Sequence, residues 1–287
     1  MNILLVANKG KLHLAVEKKI SKYNNVFSYL VNKNLGFFDL LEGFKEITFN
    51  KKINVVIFIS GETRDENKMM LLNYLFPKEI LLFAQTHSIP LIYLSSLSVF
   101  GIPNTSKIST YTPRESIDLY STTKNLFDSF ANKNFSKASI SCIMPGSIIN
   151  FKSKNDVTNK LIKFFKTFPQ NIIFNWIHPR GNIACVEVND LSKSILFEIN
   201  LLSKKDQNIR FKSEICTINL SISKILRGIF NKKRKLLITN LPFLNSRPFL
   251  YIFNKVYLKK LVLLFNEIKY ESSYEFNEKF YLDNFDI

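Results

Sequence analysis

Tyr120 and Lys124 stand four residues apart in LYSTTKN, residues 119–125. A phenol and an ammonium one helical turn apart can work as a single acid–base unit. Tyrosine titrates near pH ~10, too high for a base at neutral pH, and a neighbouring positive charge favours tyrosinate. Such a pair can exchange a proton with a substrate hydroxyl or carbonyl. Spacing alone does not select it, because Tyr29/Lys33, Tyr74/Lys78 and Tyr251/Lys255 share the same pattern. Position does. Tyr29 and Tyr74 fall inside a predicted strand and a predicted helix, and Tyr251 falls in a basic C-terminal segment. Tyr120 instead opens a helix that follows IYLSSLSVFG, a segment that delivers Ser95 and Ser96 to the end of its strand.

The elements that must bring these groups together are legible as apolar runs. ILLVA at 3–7 and NVVIFIS at 54–60 are continuous rather than alternating, as strands covered on both faces are. VFSYLV at 26–31, IPLIYLSS at 89–96 and ASISCIMPG at 138–146 complete a strand series, with helical patterns between them over about 11–20, 67–86 and 116–132. Buried strands alternating with helices predict an α/β fold with a doubly wound parallel sheet, which binds ligands beyond the carboxyl ends of its strands. Residues 1–150 form this domain in the present reading. Residues 151–287, where the alternation loosens, form a smaller substrate lobe interleaved with it.

Composition narrows the function. The 287 residues carry 40 Lys+Arg against 23 Asp+Glu, a formal charge of +17, yet the basic residues are scattered with only short runs such as NKKRK at 231–235. That dispersion argues against nucleic acid as a partner. It fits a chain rich in Lys, Asn, Ile and Phe and poor in Gly, as a biased coding composition would give. Cys142, Cys185 and Cys216 form no CxxC pair and sit in apolar runs, as buried thiols of a reducing compartment do. His13, His87 and His178 lack metal-ligand spacing, so no metal is expected. The C-terminal run FLYIFNKVYLKKLVLLF is broken by Lys255, Lys259 and Lys260, and no signal peptide precedes the first strand. A cytoplasmic protein is expected, with weak peripheral membrane contact through its basic C-terminal segment.

The first strand–helix turn reads VANKGKLH. A phosphate-cradling GxxGxxG would fall on Ala7, Gly10 and His13, so only the middle glycine is kept. Ala7 would cost about 1 kcal/mol if its φ had to be positive, and His13 puts a ring where helix meets sheet. An acidic residue about 20 positions on would hold an adenosine ribose. Val31, Asn32 and Lys33 stand there instead, which argues against strict NAD preference and leaves Lys33 either for a 2′-phosphate or for solvent.

The chain resembles the extended short-chain dehydrogenase/reductases, the NAD(P)-dependent sugar-nucleotide epimerase, dehydratase and reductase group, over residues 1 to about 200 in the family's order. NILLVANKGKLH resembles the degenerate first turn. FFDLL carries Asp39 and Leu40 where the family contacts adenine, and VVIFISGET carries Ser60 and Gly61 beside the cofactor. Asn73 fits the family's structural asparagine. IYLSSLSVFG and YSTTK resemble the serine strand and the tyrosine–lysine pair. IMPGSIIN resembles the nicotinamide loop, with Pro145 and Gly146, although Met144 stands where an arginine is usual. ACVEVNDLSKSI resembles a later segment and has Asp190 in place.

The resemblance implies a Rossmann-like fold, a homodimer, and a nucleotide-sugar substrate lying between the sheet edge and the C-terminal lobe. It implies NAD or NADP held by Ala7, Gly10, Lys11, Leu12, Lys33, Asp39, Leu40, Ser60, Gly61, Tyr120, Lys124, Pro145 and Gly146. Ser96 would hydrogen-bond the reacting oxygen, Tyr120 would move the proton, and Lys124 would hold the nicotinamide ribose. Leu97 and Ser98 occupy the positions where a 4,6-dehydratase has its Asp and Glu, so a 4-epimerase or a 4-keto-sugar reductase of surface polysaccharide biosynthesis is expected. The eroded glycine turn leaves one alternative: a non-catalytic regulatory or scaffold relative that binds dinucleotide weakly or not at all.

Overall fold

The structure, a computed structural model, describes residues 1–134, 139–151, 181–203, 211–222, 224 and 268–285. The Tyr251/Lys255 pair, the run 249–265 and the NKKRK segment lie outside the described residues. In chain order the elements are β1 (Asn2–Ala7), α1 (Lys11–Ile20), β2 (Asn25–Leu30), α2 (Phe37–Lys51) and β3 (Val55–Phe58). Next come α3 (Glu66–Met70), a π turn (Leu71–Leu75) and α4 (Phe76–Thr86), followed by β4 (Leu91–Leu94), a 3-10 turn (Leu97–Phe100), β5 (Lys107–Ile108) and α5 (Leu119–Lys133). After them lie β6 (Ile140–Pro145), β7 (Ser147–Ile149), β8 (Asn182–Glu187), α6 (Val188–Leu202), β9 (Phe211–Cys216), β10 (Ile218–Ser221), β11 (Lys269–Tyr270) and α7 (Glu278–Phe285).

Two compact units divide the chain. The first comprises Met1–Gly101, Arg114–Pro145 and Val188–Cys216, and holds a six-stranded parallel sheet in the order β2-β1-β3-β4-β6-β9. The fold is therefore the α/β doubly wound one the apolar runs predict. β1 is buried from Ile3 to Ala7, while the edge strand β2 is only partly covered. Alternate residues Leu4, Val6, Val56, Phe58, Leu91, Tyr93, Ile140 and Cys142 join Leu40, Phe44, Leu72, Phe76, Ile80 and Phe127 in one apolar cluster between the sheet and α2, α4 and α5. Rings dominate it: Tyr93 lies 3.8 Å from Phe127 and 5.7 Å from Phe58, both pairs stacked. Each fully buried ring of this kind contributes about 1.5–3 kcal/mol of transfer free energy. α1 and α6 pack on one another, and α6 also lies against β4 and β6.

The order matters for binding. β1 has β2 on one side and β3 on the other, so the chain reverses its direction of growth between β1 and β3. Ligands of open α/β sheets bind at such a point, beyond the carboxyl ends of the strands. The residues there are Asn8, Ser60 and Gly61, which follow β1 and β3.

The second unit, Ile102–Pro113, Gly146–Glu187 and Thr217–Ile287, holds a sheet in the order β10-β8-β7 and a two-stranded pair, β11 with β5. Ile149, Cys185, Leu220 and Tyr281 form its small core, and the Tyr281 hydroxyl accepts a hydrogen bond from the Glu187 N–H at 2.8 Å. Gly146 is sterically required here: a Cβ would fall 2.4 Å from Thr217 Oγ1 and 2.6 Å from the Ala184 carbonyl oxygen.

In the first unit Gly101 ends the 3-10 turn at φ +60°, and a Cβ there would fall 1.8 Å from the Glu115 carbonyl oxygen. Gly101→Ala is therefore expected to destabilise the chain by more than about 2 kcal/mol, read as a lower urea midpoint at unchanged slope.

Candidate active site

Helix α5 begins where it does because Asp118 and Ser121 cap it. The Asp118 carboxylate accepts from the Ser121 N–H at 2.7 Å, and Ser121 Oγ accepts from the Asp118 N–H at 3.2 Å. Such reciprocal caps satisfy donors that the first turn leaves open. Tyr120 is thus the second residue of the helix, with Lys124 one turn on and Asp128 one turn further along the same stripe.

The carboxyl end of β4 meets this stripe. Lys124 Nζ donates to the Leu94 carbonyl at 2.8 Å and lies 4.5 Å over the Tyr93 ring. Ser95 Oγ donates to Asp128 Oδ2 at 2.7 Å. Ser96, the next residue, caps the 3-10 turn by accepting from the Ser98 N–H at 3.2 Å, meets the Ser98 hydroxyl at 2.9 Å, and its side chain pulls down the pKa of the Tyr120 phenol. Ser96, Tyr120 and Lys124 are therefore brought together within one unit, while Ser95 faces the buried carboxylate behind them. The other described Tyr/Lys pairs have different settings. The Tyr29 hydroxyl donates to the Leu40 carbonyl, and Tyr74 packs edge-on against Phe130.

Burial sets the electrostatics. Lys124 is almost fully buried, and desolvation lowers its pKa to about 8 against the opposing pull of Asp128. Asp128 is fully buried and its pKa is raised by desolvation, with Arg114, Ser95 and Lys124 pulling it back down. Tyr120 is raised above its ordinary value, chiefly by desolvation, and the Ser96 hydrogen bond only partly offsets this. Burial thus opposes the pull toward tyrosinate that a neighbouring positive charge exerts. Burial outweighs it, and at neutral pH the phenol keeps its proton.

Arg114 is a member that spacing does not reveal. Its Nη1 lies 2.8 Å from Asp128 Oδ2, while Nη2 donates to Ser213 Oγ at 3.2 Å and approaches the Met144 sulfur at 3.9 Å. A guanidinium thus reaches the place beside Met144 from a different segment of the chain. Asp128 had a signal, its one-turn spacing from Lys124. Arg114 had none, because its partners lie far along the sequence.

At the β1–α1 turn, Asn8 Nδ2 donates to the Gly61 carbonyl at 2.5 Å and Ser60 Oγ donates to Asn8 Oδ1 at 2.8 Å, so the turn is tied to the end of β3. Ala7 is buried and does not have positive φ, so the cost attached to a missing glycine does not arise. His13 is buried, with Nε2 3.1 Å from Ser28 Oγ on β2. The small Ser28 leaves room for the ring. Gly10 is the N-cap of α1, which no side chain caps, and a Cβ on Gly10 would meet nothing within 4 Å. Lys11 and Leu12 open the helix, exposed and half-buried respectively. This open helix start at Gly10 fits a pyrophosphate.

Gly61 completes the cradle, since a Cβ there would fall 3.0 Å from Asn73 Oδ1 and 3.4 Å from Lys124 Nζ. Asn73, on the π turn, holds the next residue by both backbone groups: Oδ1 accepts from the Glu62 N–H at 2.8 Å and Nδ2 donates to the Glu62 carbonyl at 2.9 Å. Lys33 is ion-paired to Glu62. Asp39 caps α2 through the Gly36 N–H, while the Leu40 side chain is fully buried in the core, its N–H donates to the Gly36 carbonyl and its carbonyl accepts the Tyr29 hydroxyl, so the adenine contact drawn from FFDLL finds no open group on Leu40. Pro145 is the buried last residue of β6. Asp190 is ion-paired to Lys193 on α6. Among the described residues no group of three or more His, Cys, Asp or Glu could hold a metal ion, and no helix is long and apolar enough to cross a membrane.

The sheet order and its flanking helices make this a Rossmann-like α/β fold. No protein-family model matches the sequence, and no curated protein does. Solved structures match over most of their length. The chain is similar to a dTDP-4-dehydrorhamnose reductase from Clostridium acetobutylicum (TM-score 0.60, 18% identity, 80% of this chain and 79% of that one). It is similar to the same kind of reductase from Bacillus anthracis in complex with NADP (0.61, 13%, 80% and 79%). A third match is the Bordetella bronchiseptica enzyme WbmG in complex with NAD (0.63, 10%, 84% and 82%). At these identities the likeness is one of fold.

Two outcomes follow from the charges. Arg114→Met removes the cation from a fully buried carboxylate and is expected to cost roughly 3–5 kcal/mol in urea unfolding, with Asp128→Asn in the same chain recovering part of the loss. The Glu62 carboxylate has a pKa lowered to about 2 from 4.5. Desolvation, the largest single cause, pushes it up but is outweighed together by Lys33 and the N–H groups of Thr63, Arg64 and Asp65. Its folded value lies below the unfolded one, so its stabilisation is present above pH 4.5 and is lost as the pH falls towards 2. Glu62→Gln should flatten the acid limb of stability against pH in that window.

Proposed function

We propose that the chain is an extended short-chain dehydrogenase/reductase that acts on nucleotide sugars, as an NAD(P)-dependent 4-epimerase or 4-keto-sugar reductase serving surface polysaccharide biosynthesis. One observation carries this reading: Lys124, one turn after Tyr120, is held by the Leu94 carbonyl at the end of β4, directly before Ser95 and Ser96 and beside Gly61. The fold shared with a dTDP-4-dehydrorhamnose reductase and with an NAD-bound enzyme supports it.

A bound nicotinamide cofactor supplies or accepts the hydride. Tyr120, protonated at neutral pH, donates a proton from its phenol oxygen to the oxygen at the reacting carbon during reduction and takes it back during oxidation. Ser96 Oγ orients that oxygen. Lys124 binds the ribose hydroxyls on the nicotinamide side and lends positive charge next to the phenol, which steadies tyrosinate once the proton has left. The open start of α1 at Gly10 takes the pyrophosphate. Leu97 is buried and apolar, so no carboxylate follows Ser96 to eliminate water from the sugar.

NADH and NADPH titrations followed by fluorescence test the foundation, and the expected result is saturable binding of at least one of them. Incubation with UDP-, GDP- and dTDP-sugars and their 4-keto forms, followed by product analysis, is expected to give a product changed at C4. Tyr120→Phe should keep cofactor affinity within a few-fold and lower turnover by about 10²-fold or more. Unchanged turnover in that variant would remove Tyr120 from the chemistry.

A further inference from the structure

The segment after β2 offers no carboxylate for an adenosine ribose, since Val31, Asn32 and Lys33 follow Leu30. The structure brings one in from elsewhere. Glu62, directly after Gly61, is 6% exposed, and its Oε2 takes the Lys33 ammonium at 2.5 Å. Its Oε1 accepts the N–H groups of Thr63 at 2.8 Å, Arg64 at 2.9 Å and Asp65 at 3.4 Å. The Glu62 backbone is clamped by the Asn73 amide, so the carboxylate is fixed from both sides. The pair therefore joins the segments leaving β2 and β3, the two strands that flank β1. In a doubly wound sheet this edge receives the adenosine half of a dinucleotide, and the residue after the second strand meets its 2′ position.

We propose that Glu62 is a specificity-determining residue: by holding Lys33 it makes this site select the 2′-hydroxyl of NAD(H) over the 2′-phosphate of NADP(H). The proposal rests on the reading that the chain binds a dinucleotide. A lysine at the end of β2 would ordinarily attract a 2′-phosphate. Here the ammonium is already neutralised, and a phosphate that drew it away would leave a buried carboxylate without its cation, which is costly. A 2′-hydroxyl makes no such demand. The slight lean away from NAD that the missing acid suggests is thereby reversed, because the acid comes from the segment after β3.

The test is direct binding to the purified full-length chain, with NADH and NADPH titrated in parallel under one salt condition. The wild type is expected to bind NADH about tenfold or more tightly than NADPH. Glu62→Gln keeps an acceptor for the three N–H groups but releases Lys33. It should tighten NADPH about tenfold while NADH moves by less than about threefold. The double variant Glu62→Gln, Lys33→Gln should lose that gain. The double variant leaves no buried charge unmatched, so it keeps the test decisive if Glu62→Gln folds poorly: its NADPH affinity should stay within about twofold of the wild type's. A wild-type preference for NADPH, an unchanged ratio in Glu62→Gln, a gain that persists without Lys33, or a tenfold loss of NADPH binding in the double variant would each overturn the proposal. Absence of binding for both nucleotides would overturn the functional reading as well. Binding with the wrong ratio would overturn this proposal alone.

Discussion

A lysine with its ammonium out of water, at the carboxyl edge of a parallel sheet, is the constraint from which the site follows. Lys124 can be there only because the Leu94 carbonyl accepts its hydrogen bond, the Tyr93 ring lies beneath it, and Asp128 supplies countercharge one turn along the helix. That carboxylate is itself buried and needs Arg114 and Ser95. Gly61 must lack a side chain because the lysine occupies the neighbouring space. Removing any of these would leave a desolvated charge unmatched, a larger penalty than the loss of an ordinary contact. The same desolvated region lowers the pKa of Lys124 and raises that of the Tyr120 phenol, so the two groups answer to one environment.

Much of this was legible in the sequence for physical reasons. Strands covered on both faces cannot alternate polar with apolar, so ILLVA and NVVIFIS stand out, and their order fixes where chain ends meet ligands. Tyr120 separates from Tyr29 and Tyr74 because only its helix follows the strand that ends in Ser95 and Ser96. Local pattern carries no trace of Arg114 meeting Asp128 and Ser213, or of Lys33 meeting Glu62. Those pairs depend on which strand ends become neighbours. The return of 188–216 to the main unit, where β9 extends the six-stranded sheet, is likewise a matter of long-range pairing that a loosened alternation after residue 150 conceals.

The eroded glycine turn shows how backbone conformation decides what a motif needs. Two of its three glycines are replaced, yet neither replacement meets a steric barrier. Ala7 completes a strand without positive φ, and the ring of His13 lies beside a small serine on β2. Only Gly10, at the open start of α1, keeps the feature that a phosphate would require.

The π turn at Leu71–Leu75 has a consequence of a different kind. It places one residue more in that turn than an α-helix would, and Asn73 sits within it. The continuous helix from Glu66 to Thr86 must present Asn73 to Glu62 at one end and Ile80, Leu81 and Ala84 to the core at the other. Loss of a single residue anywhere between these two groups would turn one against the other by roughly 100° about the helix axis. Exposed positions of this segment such as Met70, Leu75 and Leu82 are thus open to ordinary variation, whereas changes of its length are closed, and descendants of this chain are expected to keep its residue count even where its surface residues differ.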